Sequence, residues 1–129
     1  MISDSDRIIM ERAVFLPMLL TLLERDKLIV EQSAFKLKGP YQELIDETLK
    51  AVRKDIRENN YSMRNGKMKV QKVNRDESFT HYLFICKGFE EKHNYFNPRI
   101  RNKIKELLEY YLYKRFVNNS KINETPLIR

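Results

Sequence analysis

Apolar residues recur at helical spacing along the N-terminal part of the chain. Ser3 or Ser5 can cap a first helix, whose apolar positions continue to Leu28 and Ile29, which we expect to lie inside. Pro17 interrupts this pattern, and we expect a kink or restart there because an interior proline lacks a hydrogen-bond donor. The leucines after Pro17 lie on more than one side of a helix, which predicts the most buried helix of the fold.

Two further segments each carry one apolar stripe. A second helix is predicted to have Pro40 in its first turn and to end at Asn59-Asn60. Asn97-Pro98 is predicted to supply the cap and first turn of a final helix that ends near Phe116. The stripe of the second helix consists of Tyr41, Leu44, Ile45, Leu49, Val52 and Ile56, and that of the final helix consists of Ile100, Ile104, Leu107, Leu108, Tyr111 and Leu112.

Between these helices the pattern changes to that of β-strands. Met68, Val70 and Val73 are separated by polar residues, and Phe79 to Cys86 is rich in aromatic and branched residues. We predict an antiparallel pair of strands joined by a loop over residues 74–78. The acidic side chains of this loop, Asp76 and Glu77, are predicted to be solvated.

The turn dipeptide Asn65-Gly66 leaves the topology of this region open. In an alternative pairing it forms the hairpin turn between residues 61–64 and residues 67–70, because both of its residues tolerate positive φ. A three-stranded meander would satisfy both pairings. Residues 89–96, released by Gly88, are predicted to be a short helical or irregular segment.

The predicted fold is therefore α+β and mainly helical, with two long N-terminal helices, a central antiparallel β-hairpin and a C-terminal helix. A chain of 129 residues has the size of one domain. We assign residues 1–117 to a single globular domain. Residues 118–129 are predicted to form a polar, flexible tail, since they contain one proline and few large apolar groups.

The sequence predicts a cytoplasmic protein with no membrane contact. Its longest apolar stretch, residues 13–23, is about half the length that crosses a bilayer, and acidic residues precede it where a signal peptide is basic. Cys86 is the one cysteine and cannot form an internal disulfide, which agrees with a reducing compartment.

The net charge of +7 is unevenly placed along the chain. Residues 1–60 hold ten basic and eleven acidic side chains, whereas residues 61–129 hold fifteen basic and seven acidic side chains. An excess of basic residues confined to one half of a chain is typical of proteins that bind an anionic partner such as nucleic acid. A basic surface that is merely solvated has the same composition.

Candidate catalytic and metal-binding residues are few. His81 and Cys86 are five positions apart on a predicted strand, so they point to opposite faces and cannot share a metal ion. Glu90 and His93 have the spacing used in carboxylate-bridged iron sites, but the second motif that such sites need is missing. With no recognisable triad or Gly-rich phosphate loop, we predict a non-enzymatic protein without cofactor or metal. A metal-dependent nuclease built from scattered carboxylates stays open as an alternative.

The basic residues after Asn97-Pro98 form the candidate binding site. Cations in the first turns of a helix oppose its dipole, and their place is explained if they hold a phosphate. The predicted contacts are Arg99, Arg101, Lys103 and Lys105, with Lys67, Lys69, Lys72 and Arg75 on the hairpin as a second line and Tyr82 or Tyr95 for stacking on a base. An alternative is that Glu106 and Glu109 pair with the lysines of the helix.

Two functional hypotheses are consistent with these features. The first is a small basic accessory or regulatory protein whose C-terminal half contacts nucleic-acid phosphates. The second is a dimeric adaptor for protein–protein interaction, with no nucleic acid and no catalysis. Its homodimer interface would use the aromatic residues of the last helix, Tyr110, Tyr111, Tyr113 and Phe116, since aromatics are enriched at interface centres.

Three segments carry a resemblance to known proteins. Residues 15–21 (FLPMLLT), 31–38 (EQSAFKLK) and 95–101 (YFNPRIR) are similar to segments of a small uncharacterised family of Bacillus proteins, the YhjD type. The resemblance covers most of the chain and implies a bacillus or one of its phages as the source. It implies no activity, and no functional residue can be carried over.

Overall fold

A computed structural model describes residues 1–117 of the chain. Over these residues the protein consists of three α-helices and one three-stranded antiparallel sheet. In chain order the elements are α1 (Asp4–Glu31), α2 (Lys38–Asn65), β1 (Met68–Arg75), β2 (Phe79–Cys86), β3 (Phe89–Phe96) and α3 (Asn97–Glu109). A π-helical turn, Tyr110–Lys114, continues α3, and helical residues follow to 117. The predicted tail, residues 118–129, lies outside the described residues.

The first helix contributes the most buried residues of the three helices, but most of them precede Pro17 and not, as predicted, follow it. Ser3 caps it by accepting a hydrogen bond from the amide of Asp6 at 3.2 Å. The predicted restart is wrong, because α1 continues through Pro17 as one helix. Side chains on both sides of the proline are buried, so tertiary packing offsets the missing donor. The buried residues of α1 are Met10, Val14, Phe15, Leu16, Leu19 and Leu23.

The second helix is longer than predicted. Pro40 lies in its first turn as expected, but the helix continues past Asn59-Asn60. Asn59 is buried, and its Nδ2 donates to the carbonyl oxygen of Ile9 at 3.0 Å. Because α1 satisfies this side-chain amide, it does not compete with the backbone hydrogen bonds of α2.

Asn65-Gly66 ends a helix and is not a hairpin turn. Gly66 has a φ of −84°, and the following residue, Lys67, takes the left-handed conformation with a φ of 52°. The alternative pairing is therefore wrong, since residues 61–64 belong to α2.

The sheet is a meander in the order β1–β2–β3. The predicted pairing of β1 with β2 is confirmed, but β3 occupies the segment predicted to be helical or irregular, so the two-stranded hairpin is wrong. The turn between β2 and β3 is Lys87-Gly88, and both residues have positive φ, 52° and 87°, as a type I′ turn requires. The inner face of β3 carries Glu91 and His93, and these polar residues hide the strand alternation in the sequence.

The core is centred on α1, which packs against α2, the inner face of the sheet and α3. The other elements contribute the buried side chains of Leu49, Val52, Tyr82, Phe84, Cys86, Leu107 and Tyr111. Leu28 and Ile29 of α1 were predicted to lie inside, but both are exposed. Tyr41 and Leu44, at the start of the α2 stripe, are exposed as well. No helix within residues 1–117 is long and apolar enough to span a membrane.

Candidate functional site

A groove of about 660 Å³ lies between the N-terminal half of α1, the edge strand β3 and α3. We call it the basic–aromatic groove. It brings together charged, amide and aromatic side chains from four elements. Its lining consists of Glu11 and Phe15 of α1, Phe79 of β2, Asn94, Tyr95 and Phe96 of β3, and Arg99, Asn102, Lys103 and Glu106 of α3.

The structure divides the predicted cations of α3 into two pairs. Arg99 and Lys103 are four residues apart, so they share one side of the helix, and both line the groove. Arg101 and Lys105 also share a side, but it lies about 200° around the axis from the first pair. Both are exposed, and neither lines the groove. The four residues therefore do not form one contact line.

The N-terminus of α3 is fixed by the loop between β1 and β2. The predicted cap at Asn97 is wrong, because its Oδ1 accepts from the Thr80 hydroxyl at 2.7 Å and its Nδ2 donates to the carbonyl oxygens of Asp76 and Glu77, each at 3.2 Å. The amide of Asn97 donates to the carbonyl oxygen of Ser78 at 2.7 Å. These bonds hold the first turn of α3, and with it Arg99, beside the end of the sheet.

Asp76 organises this loop, so its interpretation as loop solvation is wrong. It accepts from the amides of Ser78 and Phe79 at 2.9 and 2.7 Å and contacts His81 Nε2 at 3.0 Å. The hydrogen bond with His81 and those two amides lower the pKa of Asp76 to about 2. His81 Nδ1 lies 2.7 Å from Asn94 Oδ1, and the bonds to Asn94 and Asp76 raise the pKa of His81. The protonated form of His81 is thus favoured opposite the ionised carboxylate of Asp76.

The aromatic side chains that face solvent here are not those predicted for stacking. Tyr82 is buried, and Tyr95 contacts Phe15 edge-to-face at 5.2 Å while its hydroxyl donates to Glu11 at 3.5 Å. Burial and the nearby carboxylate raise the pKa of Tyr95. The exposed rings belong to Phe79 and Phe96, which pair across β2 and β3 with centroids 5.5 Å apart.

A signal in the sequence could have found these two rings. Phe79 is out of phase with the alternate residues Thr80, Tyr82, Phe84 and Cys86, which form the buried face of β2. Phe96 is likewise out of phase with Tyr95. Side chains of odd and even strand positions point to opposite faces, so both phenylalanines had to leave the core.

The predicted hairpin cations lie apart from the groove. Lys69 pairs with Ile85 and faces outward, whereas Lys72 and Arg75 pair with Tyr82 and Thr80 and lie on the inner side. Lys67 lies at the other end of the sheet, in the turn after α2. None of the four lines the groove, and β2 separates β1 from β3.

Three cations of α3 lack, within residues 1–117, the kind of ion pair that joins α1 to α2. Within residues 1–117, no carboxylate lies within 4.0 Å of the charged groups of Arg99, Arg101 or Lys105. Glu109 contacts Lys114 at 3.8 Å, so its predicted pairing with Lys105 is wrong. In contrast, Lys27 pairs with Asp46 at 3.0 Å between α1 and α2.

A second polar cluster fastens β3 to α1. Arg7 donates to both carboxylate oxygens of Glu91 at 2.9 and 2.7 Å, and His93 Nε2 lies 3.0 Å from the same carboxylate. The hydrogen bond from Arg7, and after it the one with His93, lowers the pKa of the Glu91 carboxyl to about 2. His93 also stacks on Phe84 with centroids 3.9 Å apart. Glu90 faces away from His93, because residues three apart on a strand point to opposite sides.

The lone cysteine lies apart from these polar clusters. Cys86 is buried on the inner face of β2, opposite the face that carries His81, and burial raises the pKa of its thiol. The part of the chain that the structure describes contains no group of three or more His, Cys, Asp or Glu side chains placed to hold a metal ion.

A second groove, of about 360 Å³, lies towards the other end of α3. We call it the apolar groove, and Asp26 is its one charged residue. Its apolar lining consists of Leu23, Ile29 and Val30 of α1, Phe35 of the connection, Tyr41, Leu44 and Ile45 of α2, and Leu108 and Leu112 of the last helix. The aromatics predicted for a dimer interface do not join it: Tyr111 is buried and its hydroxyl donates to Asp55, whereas Tyr113 is exposed.

Comparison with known proteins identifies the family. Residues 1–116 match the sequence profile of the family described as YhjD protein. The chain belongs to the YhjD family. An uncharacterised YhjD protein of Bacillus subtilis (strain 168) is 49% identical over 105 residues, which are 81% of this chain and 88% of the relative. The resemblance noted in three segments is thus confirmed, and the matched span contains every residue that lines the two grooves. No solved structure matches the chain significantly.

Proposed function

We propose that this protein is a small accessory or regulatory protein that binds single-stranded nucleic acid in the basic–aromatic groove. One observation carries the proposal. Arg99 and Lys103 lie on one side of α3, in the same groove as the exposed rings of Phe79 and Phe96. Cations beside exposed aromatic rings suit a ligand that alternates phosphates with flat bases.

The phosphate part of the ligand fits the cations of α3. An arginine guanidinium can donate two parallel hydrogen bonds to a phosphate, and Arg99 has no ion-pair partner within residues 1–117. Arg99 also belongs to the half of the chain that carries the whole excess of positive charge, which attracts a polyanion to the molecule.

The base part of the ligand fits the remaining lining. Exposed aromatic rings stack on bases of any sequence, and Phe79 and Phe96 provide two neighbouring rings. The side-chain amides of Asn94 and Asn102 can donate to and accept from base edges. Bases are accessible in this way only when they are unstacked and unpaired.

The carboxylates of the groove favour a single strand over a duplex. Glu11 and Glu106 balance Arg99 and Lys103, so these four side chains sum to zero charge. A duplex presents mainly phosphates on its outside, which carboxylates repel. A splayed nucleotide also presents amino groups, and a glutamate can accept hydrogen bonds from them.

The test compares two double variants of the same helix. Arg99→Ala/Lys103→Ala removes the pair in the groove, and Arg101→Ala/Lys105→Ala removes the same charge, at the same spacing, on the other side of α3. Binding of labelled mixed-sequence DNA and RNA single strands is measured by fluorescence anisotropy over a range of salt concentrations. We expect the first variant to lose about tenfold or more in affinity, with a salt slope lower by about 1.4, because each phosphate contact on a single strand contributes about 0.7. The second variant should lose less than threefold or so, since solvent screens distant charges.

Two results would overturn the proposal. One is the absence of binding by the wild-type chain at low salt. The other is an equal loss in the two variants, which would indicate a diffuse electrostatic attraction without a site. Tighter binding of a duplex than of a single strand of equal length would contradict the role of the aromatic rings, and the DNA and RNA arms assign the type of strand.

A further inference from the structure

The apolar groove is lined by side chains whose helical spacing in the sequence predicts a place in the core. Tyr41 and Leu44 begin the same helical stripe as Leu49 and Val52, yet the latter two are buried and the former two are exposed. Ile29 continues the apolar side of α1 in the same way and is 58% exposed. Nothing within residues 1–117 covers these side chains, so this part of the apolar surface has no packing partner within the described chain.

We propose that a second copy of this chain covers the apolar groove, so that the protein is a homodimer through the connected ends of α1 and α2. In a two-fold dimer the same patch meets itself, so it must offer both protruding and recessed apolar groups. The exposed rings of Phe35 and Tyr41, 5.2 Å apart, stand at the groove, and the half-buried Leu108 and Leu112 form its wall.

The exposed area agrees with this occupant. Ile29, Phe35, Tyr41 and Leu44 are each about half exposed. With roughly 200 Å² for a full side chain, they present about 400 Å², which is in the range of functional apolar patches. Two such patches would bury about 800 Å² of apolar area, close to the apolar share of a standard interface of about 1,600 Å².

The charge around the groove selects a second copy over a strongly charged partner. Residues 23–45, which contain most of its lining, hold four basic and four acidic side chains, and therefore no net charge. Two copies of a chain with a net charge of +7 can thus approach at this end without repulsion, whereas their basic halves would repel. A partner of opposite charge would find no complementary charge here.

Two neighbouring residues provide a matched test. Ile29 and Leu28 are 58% and 57% exposed, but only Ile29 lines the groove. We compare wild type, Ile29→Glu and Leu28→Glu by sedimentation velocity and light scattering over roughly 1–100 µM, which brackets a micromolar Kd. We expect wild type and Leu28→Glu to reach twice the monomer mass of 15.6 kDa. Ile29→Glu should have a dimer Kd raised at least about tenfold, because a buried unpaired carboxylate is costly. Circular dichroism confirms that each variant is folded.

The outcomes separate this inference from the nucleic-acid proposal. A wild-type chain that stays at monomer mass at every concentration overturns the dimer. Equal dissociation of both glutamate variants, or of neither, also overturns it. Affinity for a short oligonucleotide that fills one basic–aromatic groove should be unchanged in Ile29→Glu, since none of the residues that line that groove is altered.

Discussion

The two grooves of this molecule lie towards opposite ends of α3, and they are built from different kinds of side chains. The basic–aromatic groove takes its polar and charged lining from β3 and the first turns of α3. The apolar groove lies between α1 and α2 and takes its far wall from Leu108 and Leu112. The last helix therefore contributes side chains to both grooves.

The charges of the two regions show the same division. Within residues 1–117, two ion pairs join α1 to α2: Arg53 with Glu24 at 3.1 Å and Lys27 with Asp46 at 3.0 Å. On α3, Arg99, Arg101 and Lys105 have no such partner within residues 1–117. The cations of α3 without an ion pair contribute an electrostatic potential that attracts anions, although Glu11 and Glu106 balance Arg99 and Lys103 within the basic–aromatic groove itself.

The largest expected effect is on stability, and it concerns a hydrogen bond between the last helix and α2. The buried Tyr111 hydroxyl donates to Asp55 and thereby joins the end of α3 to α2. Tyr111→Phe should lower the free energy of unfolding by about 2 kcal/mol, because Asp55 loses a partner in a partly buried place. Thermal unfolding should show a Tm lower by roughly 6–10 °C. Tyr113→Phe is the control, since its hydroxyl contacts Glu109 at the surface, and it should change the unfolding free energy by less than about 0.5 kcal/mol. Equal effects of the two changes would contradict a special role for the buried bond.

A smaller effect should separate two exposed phenylalanines of the same strand. Phe96 and Phe89 lie at opposite ends of β3 and are 43% and 56% exposed, but only Phe96 lines the basic–aromatic groove. Phe96→Leu should weaken binding of a single strand about tenfold, within the range known for loss of one base–aromatic stack. Phe89→Leu should leave the affinity unchanged in the same anisotropy titration. A loss in both variants, or in neither, would show that stacking at this groove does not contribute.

The smallest expected effect is a pH dependence near the same groove. The pKa of His81 is raised by its hydrogen bonds to Asn94 and Asp76, so the folded state binds the proton more tightly than the unfolded state. The charged ring therefore stabilises the fold below the ordinary pKa of about 6.5, and this contribution is lost as pH rises through the raised value. Asp76 stays ionised throughout, since its pKa is about 2.

Comparison of wild type with His81→Gln isolates this contribution. We expect the Tm advantage of wild type to be larger at about pH 5.5 than at about pH 8.5, because the contribution of the charged imidazole is lost as pH rises through its raised pKa. The dimer Kd should show no such difference between the two chains, because His81 does not line the apolar groove. A difference in Tm that is the same at both pH values would indicate a packing effect of the substitution and not a titration.

Much of the fold could be predicted from the sequence because the signals were local. The spacing from Tyr41 to Ile56 predicted α2, and the residues from Phe79 to Cys86 predicted β2 with its bounds. β3 could not be predicted in this way, since Glu91 and His93 occupy its inner face. Their place is explained by Arg7, which is distant in sequence, and by Phe84 of the neighbouring strand, which together supply the partners that make a polar inner face stable.

The candidate site shows the same limit. Sequence reasoning selected Arg99 and Lys103, but it could not divide them from Arg101 and Lys105 without knowing which side of α3 meets α1 and β3. It proposed Tyr82 or Tyr95 for stacking, whereas Tyr82 is buried, Tyr95 lines the groove but is partly buried, and the exposed ring of β2 at this groove is Phe79. The hydrogen bonds of Asn97 to the β1–β2 loop likewise replaced a local cap by a distant contact.

The sequence by itself determined the family, the long helices, the first strand pair and the excess of positive charge in the second half. These follow from periodicity, composition and short-range turn chemistry, all of which act between near neighbours in the chain. The tertiary structure alone decided the third strand, the division of the α3 cations and the exposure of Ile29, Tyr41 and Leu44. The physical reason is that burial depends on which surfaces meet, and an apolar stripe specifies that it needs a partner without specifying whether that partner lies in the same chain.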